Sequence, residues 1–255
     1  MKLLHRLWLP AVVALAILSA YHLDLRPALL AGGIENLGTL WDEAFPPQLD
    51  LLPTAATALG ETLAIALLGT LFGFLLALPF GIGGARNLAP RGVLVFARSI
   101  CAAVRTLPSL LWAVLFVILV GFHALAGVLA MTMYTMGHLA KLQYESLEGL
   151  SPDPLEAARA TGATPFQVIR FVVLPEASNL LVSQVLYMFD YNVRASTIVG
   201  FVGAGGIGFS IARYLQALQY DGVLTLLILV FVTVIAIDAL SYRLRERFLS
   251  GIPGV

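Results

Sequence analysis

Charge is scarce in this chain: only 12% of its 255 residues are Asp, Glu, Lys or Arg, against about a quarter in soluble domains. With 59% of residues hydrophobic and a mean hydropathy of +0.90, a globule of this composition has too little polar surface to cover itself. Most of the chain must therefore face lipid. Net charge is zero, without the basic excess of a nucleic-acid-binding domain, so no nucleic-acid partner is expected. The single cysteine, Cys101, sits in an apolar run, which leaves neither a disulfide framework nor a cysteine metal site. Lysine occurs only at Lys2 and Lys141, after Met and Ala, so neither can belong to a G-x-x-x-x-G-K-[ST] phosphate loop. His5, His22, His123 and His138 are scattered without metal-ligand spacing. No cluster of catalytic carboxylates or histidines supports a membrane enzyme. No cofactor or metal is expected in this chain.

What is present is long apolar sequence. A spanning helix needs about 20 mainly apolar residues, and six stretches qualify, near 7–23, 54–82, 92–120, 124–143, 175–201 and 222–242. The expected fold is an all-α, polytopic membrane protein of about six transmembrane helices. The third stretch is interrupted at Arg105 and Pro108. Lys2 and Arg6 before a short apolar core also suit a cleaved signal peptide, but no small-x-small cleavage site follows, which favours a retained first helix. Residues 1–53 are read as this helix and an external loop, and 54–255 as the main transmembrane domain.

Threading six spans places both termini and the 83–91 and 144–172 loops on one side. That side receives Lys2, Arg6, Arg86, Arg91, Arg159, Arg170, Arg243, Arg245 and Arg247. The opposite side has Arg26 and Arg213, with Asp24, Glu35, Asp42, Glu43 and Asp50 in the 24–50 loop. The positive-inside rule makes the first side cytoplasmic.

One cytoplasmic stretch is more structured than a connection needs to be. In 151–175, Asp153 is positioned to cap a first short helix, Pro154 fits its first turn and Glu156 follows at capping-box spacing. Ala157, Ala158 and Ala160 give a smooth face, and Gly162 is placed to end the helix in a left-handed turn. Thr164, Pro165 and Gln167 repeat the start signals, and Leu174–Pro175 close the unit before the fifth span. Short helices are marginal in water, so doubled capping suits a knob that must hold its shape for a partner. A DNA-reading helix-turn-helix is excluded, because a loop tethered between spans is poorly placed to enter a groove.

Glu156, Ala157, Ala158, Gly162, Leu174 and Pro175, at these spacings, resemble the loop of ABC-importer permeases that docks on the cytoplasmic ATPase. Val172 stands where that pattern usually has isoleucine. "NVRASTIVGFVGAGGIGF" (192–209) and "RTLPSLLWAVLF" (105–116) are similar to phosphonate-type members, with the likeness running from about residue 54 to the C-terminus. The resemblance implies a type I importer permease in the plasma (inner) membrane. It implies a second copy of the permease, two cytoplasmic ABC ATPase subunits that bind ATP and Mg, and an external substrate-binding protein. The implied cargo is a phosphonate or a related oxyanion such as phosphite or phosphate. Permeases for methionine, sulfonates or nitrate are the alternative, and a secondary transporter would leave the docking module unexplained.

Candidate pathway residues lie within the fifth span and just after it. Asp190 and Arg194 are four apart and share a helix face, as a structural salt bridge or as part of a path. Asn192, Ser196 and Thr197 add polar groups nearby. Gly203, Gly205 and Gly208 satisfy G-x-G-x-x-G, but a membrane span precedes them where a dinucleotide site needs a βαβ unit. With Gly206 they form either an unwound gate or a close packing contact. Arg98 and Arg105 either snorkel or line the path. Gly69 and Gly73 form a G-x-x-x-G packing pair, and Glu61 has no assigned role.

Overall fold

The computed structural model describes residues 2–25 and 27–249, without the side chains at 2–7, 27–30, 35 and 247–249. Lys2, Arg6, Arg26, Glu35 and Arg247, which entered the orientation argument, therefore lie wholly or by their side chains outside the described residues. Every regular element among the described residues is helical.

The chain divides into two compact units, residues 1–46 and 47–255. The first contains α1 (Lys2–His22) and α2 (Pro27–Ala44). The second helix corrects the reading of 24–50 as a loop. Pro27 opens it, and Leu30, Ile34, Leu37 and Trp41 recur at helical spacing. Gly32, Gly33 and Gly38, all poor helix formers, had disguised that period.

The second unit contains α3 (Leu52–Gly84), α4 (Arg91–Arg105), α5 (Ser109–Val120), α6 (Ala124–Glu148), α7 (Pro152–Ala160), α8 (Pro165–Val168), α9 (Leu174–Gly200), α10 (Gly206–Gln216) and α11 (Tyr220–Leu249). Three helical runs, Leu49–Gly84, Pro165–Gly200 and Tyr220–Glu246, are long and apolar enough to cross a membrane. The pair α4 and α5 makes a fourth if it counts as one span, bent by 85° at the expected break. Leu107 precedes Pro108, and a residue before proline is pushed out of helical geometry. Among the described residues, length and composition thus give three candidates, or four with the bent pair counted as one, against the six apolar stretches of the sequence. Helix α6 has the length to cross, with 25 residues, but carries Lys141, Glu145 and Glu148.

The core of this unit is the seam between α3 and α6. Gly69, Gly73, Ala77 and Gly81 repeat every four residues and are buried. A Cβ on Gly73 would lie 2.5 Å from the Thr135 Cβ, and one on Gly81 2.7 Å from the Gln143 Cβ. Gly69 meets the Met131 Cβ in the same way. The expected packing pair is thus half of a longer stripe that lets two backbones approach. Asn192 ties α9 to this seam: its Nδ2 donates to Thr70 Oγ1 (2.8 Å) and to Thr135 Oγ1 (2.7 Å).

Residues 202–221 contain α10, with Ile207, Gly208 and Ile211 buried. Leu174 and Pro175 do not close the short module. The helix begun at Pro165 passes through a π-turn at Ile169–Val173 into α9, where Leu174 N–H donates to the Ile169 carbonyl. A proline inside a helix lacks a donor and clashes with the carbonyl four residues back. A wider turn immediately before Pro175 accommodates both defects, as π-bulges do.

Candidate functional site

The module at 151–173 is rooted in apolar packing and exposed at its tip. Leu155, Val168 and Val173 are buried together with Ala85, Leu147 and Ala177. Phe166 and Phe171 are 68% and 67% exposed. A groove of about 460 Å³ opens between Ala158, Gly162, Gln167 and Phe171. Gly162 adopts φ +80° with nothing within 4 Å of a would-be Cβ, so the backbone turn alone calls for glycine. Thr164 and Gln167 form the expected capping box, with Gln167 N–H donating to Thr164 Oγ1 (3.4 Å) and Thr164 N–H to Gln167 Oε1 (2.7 Å).

Asp153 is not the cap of α7. Ser151 occupies that position without a side-chain hydrogen bond, and Pro152 takes the first helical turn. Proline suits that first position, and the residue before it favours an extended backbone. Asp153 falls within the first turn, where a carboxylate favours the helix dipole. Glu156 and Ala157 are exposed, Ala158 and Leu174 half-buried, and Pro175 exposed.

A polar brace holds the root, and sequence reading had missed it. Arg159 Nη2 donates to the Asn87 carbonyl (2.6 Å), and Asn87 Nδ2 donates to the Leu147 carbonyl (2.8 Å). Glu148 accepts from Arg86 N–H (2.7 Å) and pairs with Arg98. The Arg98 Nε donates to the Gly84 carbonyl (2.9 Å), and its guanidinium lies 4.4 Å from the Tyr144 ring centroid. Arg98 therefore belongs to this brace. Only the paired charges near 86–98 and 148 hinted at it, and nothing local linked them.

The polar residues of α9 divide by exposure. Arg194 and Asp190 form a bidentate pair at 3.1 and 2.8 Å, with the Asp190 side chain 6% exposed and that of Arg194 46% exposed. Asn192 and Ser196 are buried, the former in the seam described above and the latter donating to the Val193 carbonyl (3.0 Å). Thr197 is half-buried and donates to the same carbonyl (3.3 Å).

Beyond α9 the backbone unwinds. Gly203, Gly205 and Gly206 have φ of +91°, +83° and +75°, and Thr62 Oγ1 accepts from Ile207 N–H (2.7 Å) to fix the start of α10. Gly208 packs against Thr197 and Gly200. Glu61, Phe122, Gly203, Gly205 and Phe209 line a recess of about 270 Å³ here. The unwound turn and the close approach thus occur in one segment, and Glu61 gains a place beside it.

A second recess, of about 210 Å³, lies at the bend between α4 and α5 and is lined by Arg105, Tyr134, His138, Lys141, Glu145 and Tyr191, among others. No group of His, Cys, Asp or Glu among the described residues is arranged to hold a metal ion.

Comparison with known proteins is consistent with this anatomy. The family model for the binding-protein-dependent transport system inner membrane component matches residues 77–250. The phosphite transport system permease protein PtxC of Stutzerimonas stutzeri is 38% identical over 240 residues, covering 93% of this chain and 87% of that protein. The phosphate-import permease protein PhnE of Mycolicibacterium smegmatis is 39% identical over 204 residues, covering 79% of this chain and 38% of that protein. Among solved structures, a chain of the inward-facing MetNI methionine ABC transporter superposes with a TM-score of 0.69 at 25% identity, covering 79% of this chain and 99% of that one.

Proposed function

Because this chain belongs to the binding-protein-dependent transport system inner membrane components, we propose that it carries a phosphorus oxyanion such as phosphite, phosphate or a phosphonate into the cytoplasm. Membership makes it a multi-pass permease subunit of an ABC importer and not an enzyme. ATP is used by a partner ATPase, and a binding protein is the other partner. The likeness to a phosphite permease over 93% of the chain carries the substrate reading.

In this reading both termini and the module at 151–175 face the cytoplasm, and two copies of residues 54–255 form the pore. ATP and Mg bind to two ATPase subunits, one under each copy. Glu156, Ala157, Ala158 and Gly162 present the docking face, while Leu174 and Pro175 join it to the span. The exposed Phe166 and Phe171 are apolar anchors of the kind that interfaces bury. ATP binding draws the ATPases together, and the rigid helices convey that movement to the membrane half.

Along the path, Arg194, held in place by its pair with Asp190, and Thr197 meet the cargo. The unwound turn at Gly203, Gly205, Gly206 and Gly208 forms the gate. Asn192 and Ser196 hold α9 in register with α3 and α6 beside them. The loaded binding protein docks on the outer face.

The test is reconstitution of the permease with its ATPase and binding protein in vesicles. ATP-dependent uptake of radiolabelled phosphite, phosphate or methylphosphonate is expected. Uptake of methionine, a sulfonate or nitrate, with no phosphorus compound carried, would overturn the substrate while leaving the importer class intact.

A further inference from the structure

Three arginines lie beyond the first turn of α4 and α9, and they are not alike. Arg98 pairs with Glu148, and Arg194 pairs with Asp190. Arg105, at the last turn of α4, has no carboxylate partner among the described residues, and its Nε is buried without a hydrogen-bond partner. A cation held inside a membrane domain without a partner is costly, and such residues mark ion and substrate pathways. Helix-dipole attraction at the end of α4 offsets part of that cost. Contact with Gly137 accounts for the stem of the side chain. Neither accounts for what surrounds the head.

That surrounding is a recess in which donors converge. His138 and Lys141 come from the next turns of α6, and Tyr134 and Tyr191 face each other from α6 and α9 with their hydroxyls 2.8 Å apart. Two hydroxyls share that one bond, so one proton is left to donate elsewhere. His138 Nδ1 lies 2.9 Å from the Tyr134 carbonyl, which can only accept; the Nδ1–H is therefore used, and Nε2 is left to accept a P–OH or, when protonated, to donate. The one carboxylate, Glu145, is engaged by Lys141 at 3.4 Å. Arg105, Lys141 and Glu145 sum to one positive charge before His138 is counted. At about 30 Å³ per water in the liquid, 210 Å³ admits a tetrahedral anion with a few waters. Arg194 lies three residues beyond Tyr191 on the same face of α9.

From this arrangement we infer that the recess at the bend is a transient binding site for a phosphorus oxyanion inside the membrane domain, with Arg105 as its principal charge. The inference rests on the proposed substrate class, since a phosphorus oxyanion is what the donors are taken to receive. It adds an intramembrane station to a cargo that the binding protein delivers from outside.

The test uses the purified permease–ATPase complex without binding protein, in nanodiscs of phosphatidylcholine alone. Inorganic phosphite, phosphate and methylphosphonate are titrated against it, followed by intrinsic fluorescence and by thermal stability, with chloride as control. A saturable response is expected, weakened about tenfold or more by Arg105→Gln, as loss of a charge-assisted hydrogen bond requires, and less by Arg105→Lys. If Arg105→Gln fails to assemble, Lys141→Gln removes the other positive charge of the recess, and Tyr134→Phe combined with Tyr191→Phe removes the free hydroxyl proton; each should weaken the response severalfold. No saturable response in the native complex, or responses unchanged in whichever variants assemble, would overturn the site. A response only to discs containing phosphatidylglycerol, with free oxyanions inert, would overturn it in favour of a lipid headgroup. Vesicle uptake measured in parallel separates the two readings: oxyanion uptake without a titratable recess refutes only the site, whereas absence of any oxyanion uptake refutes the substrate class.

Discussion

Glycine serves two opposite purposes in this protein. At Gly69 and Gly73 the backbone is ordinary helix, and a side chain is forbidden by its neighbours, the Met131 and Thr135 side chains of α6. At Gly162 the surroundings are empty, and a side chain is opposed only by the backbone at φ +80°. The first kind holds the membrane seam together. The second shapes a knob outside it. Two regions equally rich in small residues are thus governed by different physics: crowding in one, conformational freedom in the other.

Substitutions that separate space from conformation test this contrast. Gly73→Leu should have the largest effect, because overpacking here adds to backbone separation along the seam and costs about 3 kcal/mol or more. The expected result is loss of the assembled permease in detergent, and a normal yield would show that the close approach at Gly73 is not what holds α3 to α6. Gly162→Leu should leave assembly intact while lowering uptake and substrate-stimulated ATPase activity, since a left-handed side-chain residue costs about 1–2 kcal/mol and misaims both short helices. Gly162→Asn should recover much of the coupling, asparagine being tolerant of that backbone. If Leu and Asn behave alike in the vesicle assay, the turn is not what matters.

Arg194→Ala should reduce transport severalfold and assembly less. Equal loss of both would make the pair with Asp190 a structural bridge, because removing one partner leaves the other charge buried and alone. Thr164→Ala should have the smallest effect, about 1 kcal/mol from a lost cap, seen as a modest fall in coupling. A fall as deep as that of Gly162→Leu would mean that Thr164 touches the ATPase itself.

What could be read from sequence was what local rules decide. The break at Arg105–Pro108, the turn at Gly162, the box at Thr164–Gln167 and the pairing of Asp190 with Arg194 each need only a few neighbouring residues. What escaped was either an evenly balanced local choice or set by distant contacts. Asp153 lost the cap to Ser151 because Pro152 and Pro154 both offered a plausible first turn. Pro175 looked like a terminator because nothing local announces the π-turn that accommodates it. The burial of α10 depends on Thr62, 145 positions before the amide it receives. The Glu148 brace and the Arg105 recess each gather residues from separate helices, and composition carries no trace of either.

The uninterrupted course from Pro165 to Gly200 has a mechanical consequence. At about 1.5 Å per residue, its 36 residues make a rod roughly 50 Å long. One end carries the exposed phenylalanines and the other adjoins the unwound glycines. Because the π-turn before Pro175 keeps the helix continuous there, such a rod has little means of absorbing a displacement along its length. An ångström of travel imposed at the knob reappears at the far tip, as with an oar whose blade answers the hand on its loom.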